Sequence, residues 1–94
     1  MKDLESKYIP MTEDTFYILL FLQQEDHGYS ISKKTAELTR DEVRLPPGTM
    51  YGALSKLEKD GLIQTVRTEN KRKIYKLTEQ GQHILDLEKG RIAR

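Results

Sequence analysis

Hydrophobic positions fall in short bursts separated by polar punctuation, and their spacing changes along the chain. The densest burst is residues 16–22, seven consecutive apolar or aromatic side chains. Thr12 precedes it as an N-cap, with Glu13 and Asp14 in the first turn, where acids complement the helix dipole. A helix is predicted from there to about Gln24, apolar on nearly every side and so central to a core or an interface. The mixed residues 1–11 upstream carry no period and are expected to form a flexible N-terminus. Asp26-His27-Gly28 breaks the helix, and Ser30 is placed to cap a second one on which Ile31, Thr35 and Leu38 recur at helical spacing. The charged connector 39–45 has only Val43 and Leu45 as apolar anchors.

Pro46-Pro47-Gly48 opens a third helix, with Pro47 where a missing N–H costs nothing. It runs to about Asp60 and stops at Gly61, a residue suited to the left-handed position after a helix. The period then shortens to two: residues 62–67 and 72–77 read as strands, joined by a loop, 68–71, in which Asn70 can take a positive φ. Thr78 caps a fourth helix with a broad apolar stripe of Ile84, Leu85, Leu87 and Ile92, still running where the sequence ends at Arg94. The order helix, helix, helix, hairpin, helix is that of a winged helix-turn-helix. The expected fold is mainly α with a small β-hairpin. Residues 1–78 are expected to form the winged helix-turn-helix domain, the part that would bind DNA, and 79–94 a C-terminal helix suited to dimerisation.

Composition makes a partner copy attractive. Of 94 residues, 35 are Ala, Val, Ile, Leu, Met, Phe or Gly, against roughly 45–50% in typical domains, and charged residues reach 33%. A chain this small hides only about 60–65% of its unfolded surface, so its stability gains from association. Cysteine is absent, which excludes disulfides and thiolate metal sites. No apolar run approaches the roughly 20 residues that span a bilayer, and no signal sequence opens the chain, so a cytoplasmic address without membrane contact is expected.

The net charge of +1 conceals a division. Residues 1–45 hold six basic and nine acidic side chains, whereas residues 46–94 hold ten basic and six acidic. Within 64–76, Arg67, Lys71, Arg72, Lys73 and Lys76 face a single acid, Glu69. That segregation points to an anionic partner for the second half, or simply to a solvated hairpin face.

Projected at 100° per residue, the third helix turns Met50, Ala53, Leu54 and Leu57 inward. Its opposite side carries Gly48, Gly52, Ser55, Lys56 and Lys59, flanked by Thr49 and Tyr51. A major groove about 12 Å wide admits a helix, and small residues let the backbone approach base edges. Thr49, Gly52 and Ser55 are therefore assigned to base proximity, and Tyr51, Lys56 and Lys59 to phosphates. On the hairpin, Arg67, Lys71, Arg72 and Lys73 are assigned to flanking phosphate or the minor groove. Tyr75 is expected to pack beneath the hairpin. An ordinary solvated amphipathic helix would share the pattern.

The run 44–63, Arg-Leu-Pro-Pro-Gly-Thr-Met-Tyr-Gly-Ala-Leu-Ser-Lys-Leu-Glu-Lys-Asp-Gly-Leu-Ile, resembles the recognition-helix segment of PadR-family transcriptional regulators. Three further segments match that family's pattern in order: Tyr17-Ile18-Leu19-Leu20, His27-Gly28-Tyr29-Ser30-Ile31 and the run 72–81. The resemblance covers residues 10–87. It implies a winged helix-turn-helix homodimer that represses transcription at an inverted-repeat operator and releases it when an effector or a modification intervenes. The first and last helices would build the dimer, burying Phe16, Leu20, Ile84 and Leu87. The last helix is short beside those of longer members, and the chain has no Trp, so an indole-lined drug site is not implied.

Other chemistry finds little footing. His27 and His83 lack the additional ligands a metal site needs, so no metal and no cofactor are expected. Asp26, His27 and Ser30 are triad residue types crowded into one turn, where a proton relay cannot be held, and no enzymatic role is assigned. Phe16, Tyr17 and Phe21 would suit a small aromatic effector between protomers or plain packing. The rival reading is a winged-helix protein-interaction module without specific DNA binding, for which the basic wing is unnecessary.

Overall fold

The computed structural model describes residues 2–93. Helices α1 (Lys2–Tyr8), α2 (Glu13–Phe21), α3 (Gly28–Leu38) and α4 (Pro47–Lys59) precede an antiparallel hairpin of β1 (Ile63–Glu69) and β2 (Arg72–Leu77), and α5 (Glu79–Ile92) follows. This is the winged helix-turn-helix arrangement that the alternation of periods predicts.

Local signals set most boundaries. Thr12 Oγ1 accepts from the Thr15 N–H at 3.3 Å, and Thr78 Oγ1 accepts from the Gly81 N–H at 3.1 Å. At the end of α4, Gly61 takes φ +79°, its N–H reaches the Glu58 carbonyl, and the Leu62 N–H returns to the Leu57 carbonyl. These two bonds satisfy carbonyls the helix would otherwise leave open, and they turn the chain into β1. Asn70 and Lys71 both have positive φ, the geometry of a two-residue turn whose twist matches the strands. Both strands are therefore joined by two residues, and β1 extends two positions further than its apolar pattern indicates.

Three local expectations are corrected. The cap of α3 is His27, whose Nδ1 accepts from the Ser30 N–H at 3.3 Å; Ser30 lies inside the helix and its hydroxyl donates to Asp26 at 3.0 Å. Asp26, only 8% exposed, gathers that hydroxyl, the His27 N–H and the Lys34 ammonium, so the turn is organised around the acid. Residues 2–8 are helical rather than loose. Seven residues cannot hold a helix in water by themselves, and α1 persists because Tyr8 enters the core while Leu4 and Ile9 pack against it. Ile84, expected on an outer interface, is fully buried in the protomer's own core beside Leu85. α5 thus shares one core with α2, α4 and the hairpin rather than standing off as a separate element.

That core joins Ile18, Leu19 and Leu22 of the α2 segment, Ile31 of α3, Met50, Leu54 and Leu57 of α4, and Leu62, Ile63 and Leu77 beside the hairpin. The crowded apolar run of α2 is used on nearly all sides, which explains why its residues alternate so little. The α5 entry is the tightest point: a Cβ on Gly81 would stand 2.0 Å from the Leu62 carbonyl oxygen. The hairpin is tied in twice, by paired backbone bonds between Asp26 and Tyr75 (3.1 and 2.8 Å) and by the Leu77 N–H to the Leu22 carbonyl at 2.9 Å.

Candidate nucleic-acid interface

α4 is presented outward by its crossing with α3. Gly28 sits at that crossing, where an added Cβ would meet Met50, Leu54 and Tyr51 at 3.2–3.3 Å. Close approach there lets α3 support α4 from behind while Met50, Leu54 and Leu57 fill the core. The remaining surface of α4 is open: Gly48, Thr49, Tyr51, Gly52, Ser55, Lys56 and Lys59 are all exposed. Beyond its chain neighbours and the backbone of its own helix, a Cβ on Gly48 or Gly52 would meet no atom of the described residues within 4 Å. Glycine inside a helix costs roughly 0.5–1 kcal/mol relative to alanine. Gly52 carries that cost without serving the protein's own packing.

The wing stands beside this face. Lys71, Arg72 and Lys73 surround the turn, all exposed, and they line a cleft with His27, Gly28, Tyr51, Ser55 and Tyr75. The guanidinium of Arg72 lies 5.3 Å from the centroid of the exposed Tyr29 ring, which links the wing to α3. Tyr75 is 6% exposed, with its ring beneath the hairpin; burial raises its phenol pKa, and the charge of Glu58 adds to the effect.

Arg67 stands apart from the other wing cations, held by two carboxylates. Its guanidinium pairs with Glu25, and its Nε donates to Glu69 at 2.6 Å, so two carboxylates match its charge and raise its pKa. The cause is a β-bulge. Thr65 pairs with Tyr75 but Arg67 pairs with Ile74, which leaves Val66 as an extra residue. Paired residues share a sheet face, so the bulge moves Arg67 off the Tyr75 side to the opposite one. Without it, the strict alternation assumed from sequence would set Arg67 opposite Lys73.

The other predicted residues divide as follows. Lys56 is exposed on the α1 side of α4, its ammonium 5.5 Å from the centroid of the Tyr8 ring. Ser55 and Tyr51 lie on the wing side, lining the cleft. Phe16 and Leu20 are half-buried on α2, and Leu87 is 37% exposed on α5. Phe16 and Tyr17 meet edge to face at 5.6 Å, whereas Phe21 turns toward Lys34 of α3, so the aromatic trio does not form one lining. Sequence reasoning missed Tyr29 and Lys33. Four residues apart, they are both exposed on α3 and extend the basic surface past Arg72. Their spacing opposite the buried Ile31 and Thr35 was the available signal.

The profile of the transcriptional regulator PadR-like family matches residues 18–87, which include α3, α4 and the hairpin. A crystallised PadR-family transcription regulator from Clostridium difficile R20291 superposes with a TM-score of 0.74 at 31% identity, covering 85% of this chain and 86% of that one. Transcriptional regulator Rv3488 of Mycobacterium tuberculosis is 41% identical over 54 residues, 54% of this chain and 50% of that protein. An uncharacterised 37.1 kDa protein of a Streptomyces fradiae transposon is 32% identical over 68 residues, 72% of this chain and 19% of that one. The chain therefore spans half the length of one curated relative and about a fifth of the other. No helix among the described residues is long and apolar enough to cross a membrane. With three quarters of its length inside the family profile, this chain belongs to the transcriptional regulator PadR-like family, whose members regulate transcription rather than catalyse reactions.

Proposed function

We propose that the protein is a sequence-specific DNA-binding repressor that acts as a homodimer on an inverted-repeat operator and is released by an effector. The observation that carries the DNA reading is the open glycine face of α4 beside a basic wing. Gly48 and Gly52 lie on the exposed side, where nothing of the protein requires their smallness. A helix backbone that must come close to base edges does require it. Thr49, Gly52 and Ser55 take the positions nearest the bases. Tyr51, Lys56 and Lys59 take phosphates, joined by Lys71, Arg72 and Lys73 from the wing and by Tyr29 and Lys33 from α3. Arg67 braces the wing instead.

Phe16, Leu20 and Leu87, all incompletely covered, supply the dimer contact together with Ile92, which is 54% exposed at the end of α5. A second copy on that face supplies the burial that a 94-residue chain lacks. Half-sites about 34–36 Å apart then suit two recognition helices on one side of a duplex. Phe16 and Tyr17 near that contact favour a small aromatic effector.

Fluorescence anisotropy with a labelled duplex from upstream of the protein's own gene, titrated across salt, tests the reading. With about three phosphates neutralised per protomer, half the number of cations on this face, the log–log slope for a dimer is near −5. A slope near zero would remove DNA as the partner.

A further inference from the structure

α1 touches both ends of the molecule's functional axis. On one side, Glu5 Oε2 stands 3.6 Å from His83 Nε2 of α5. Just past the helix, the Met11 N–H donates at 3.1 Å to Glu88, a carboxylate only 3% exposed and gripped by Arg91. On the other side, the Tyr8 hydroxyl donates at 2.5 Å to Asp60 Oδ2, and the Lys7 ammonium lies 2.9 Å from the same oxygen. Asp60 is the C-cap of α4. A carboxylate there sits at the negative end of the helix dipole, where by itself it is unfavourable. Its partners come from α1: the hydrogen bond from Lys7, then that from Tyr8, hold its pKa below the usual carboxylate value. The Tyr8 ring, buried at 5% exposure, carries the Lys56 ammonium 5.5 Å from its centroid.

We propose that α1 is a strap that positions the recognition helix from the α5 side, with Tyr8 and Asp60 as its positioning residues and Lys56 as the DNA contact it orients. The proposal rests on the DNA-binding reading above. The hydroxyl tie to Asp60 fixes both the last turn of α4 and the seat of the Tyr8 ring against it, so the ring holds Lys56 on the phosphate-facing flank only while the tie is made. A change at the α1–α5 face, such as assembly with a second copy or its loss, reaches α4 through the same bonds.

The test compares wild type, Tyr8→Phe, Asp60→Asn, Lys56→Ala and the Tyr8→Phe/Lys56→Ala double variant on a random-sequence duplex across a salt series. Tyr8→Phe keeps the core ring and removes only the hydroxyl tie. It is expected to weaken binding about three- to tenfold, the range of one lost side-chain hydrogen bond. Its salt slope should fall in magnitude by about 0.9 per protomer, as for Lys56→Ala. The double variant should be no weaker than Lys56→Ala alone. A purely structural loss would lower the binding-competent fraction and leave the slope unchanged. Amide exchange gives a second readout: Asp60→Asn and Tyr8→Phe should each speed exchange in the last turn of α4, and Lys56→Ala should not. Should Tyr8→Phe fail to fold, Asp60→Asn carries the same comparison.

A Tyr8→Phe protein with the wild-type slope, or unchanged exchange in both tie variants, overturns the strap alone. A wild-type protein that does not bind the duplex overturns the DNA reading, and the strap as a DNA-positioning device with it.

Discussion

Gly81 in α5 and Gly52 in α4 occupy helices of similar length, yet their surroundings are opposite. A side chain at Gly81 would collide with a backbone carbonyl at 2.0 Å, whereas one at Gly52 would meet nothing within 4 Å among the described residues beyond its chain neighbours and its own helix backbone. The first glycine serves the fold, and the second has no packing role in it. The same split divides the charges. Asp26 is buried at the junction of α3 and the hairpin, where it organises both, while Lys73 stands at the wing tip in solvent. Residue type alone distinguishes neither pair. The surroundings do.

The comparison is sharpest at Gly81. Gly81→Ala should destabilise by about 3 kcal/mol or more, because the obstacle is backbone that cannot step aside. Thermal unfolding followed by circular dichroism should show the midpoint down by more than about 10 °C. A midpoint near wild type would mean that α5 does not seat as tightly as described.

Asp26→Asn comes next. Burial opposes the Asp26 charge, but the Lys34 hydrogen bond, the His27 N–H and Ser30 outweigh it and hold its pKa below the ordinary value. A carboxyl depressed in the folded state contributes stability above its unfolded pKa of about 3.9, and that stability is lost as the pH falls through the lower folded value. The wild-type thermal midpoint should therefore hold from pH 7 to about pH 5 and fall below about pH 4. Asp26→Asn should lower the pH 7 stability by about 1–2 kcal/mol and soften the acid decline. Asp60 and Glu88, also depressed, leave part of that decline in place.

Gly52→Ala separates fold from function. Helix propensity should raise stability by roughly 0.5–1 kcal/mol, seen as a midpoint higher by several degrees. DNA affinity should drop about tenfold, because the added methyl occupies the closest approach. A stabilised variant with intact binding would reassign the glycine face. The smallest effect separates two wing cations. Lys73→Ala should reduce the salt slope by about 0.9 per protomer, whereas Arg67→Ala should leave it unchanged and cost less than about 1 kcal/mol of stability.

Much of this architecture was legible from short-range chemistry. Thr12, Pro47, Gly61, Asn70 and Thr78 each act within a few residues, so their roles follow from sequence spacing alone. The open face of α4 was also legible, since one helical projection separates Met50, Leu54 and Leu57 from Gly52 and Ser55. What escaped depends on distant partners. α1 exists because Tyr8 enters a core built by distant residues, where its hydroxyl meets Asp60, 52 positions away. Arg67 is diverted by Glu25, 42 positions away, after a bulge that no local pattern announces. Ile84 looked like interface because its apolar stripe is broader than a single core contact needs. Periodicity finds an apolar face but cannot say whether the same chain or another copy covers it.

The two-residue turn at Asn70 and Lys71 has a consequence for how the wing can vary. Strand side chains alternate, so one residue added to a strand beyond the bulge would exchange its inner and outer faces. One residue pair added to each strand would restore the phase and lengthen the hairpin by roughly 7 Å, at about 3.4 Å per residue. The root is pinned at Asp26 and Leu22, far from the tip. The reach of the wing is thus adjustable in even steps, leaving the bulge, the bridge and the core untouched.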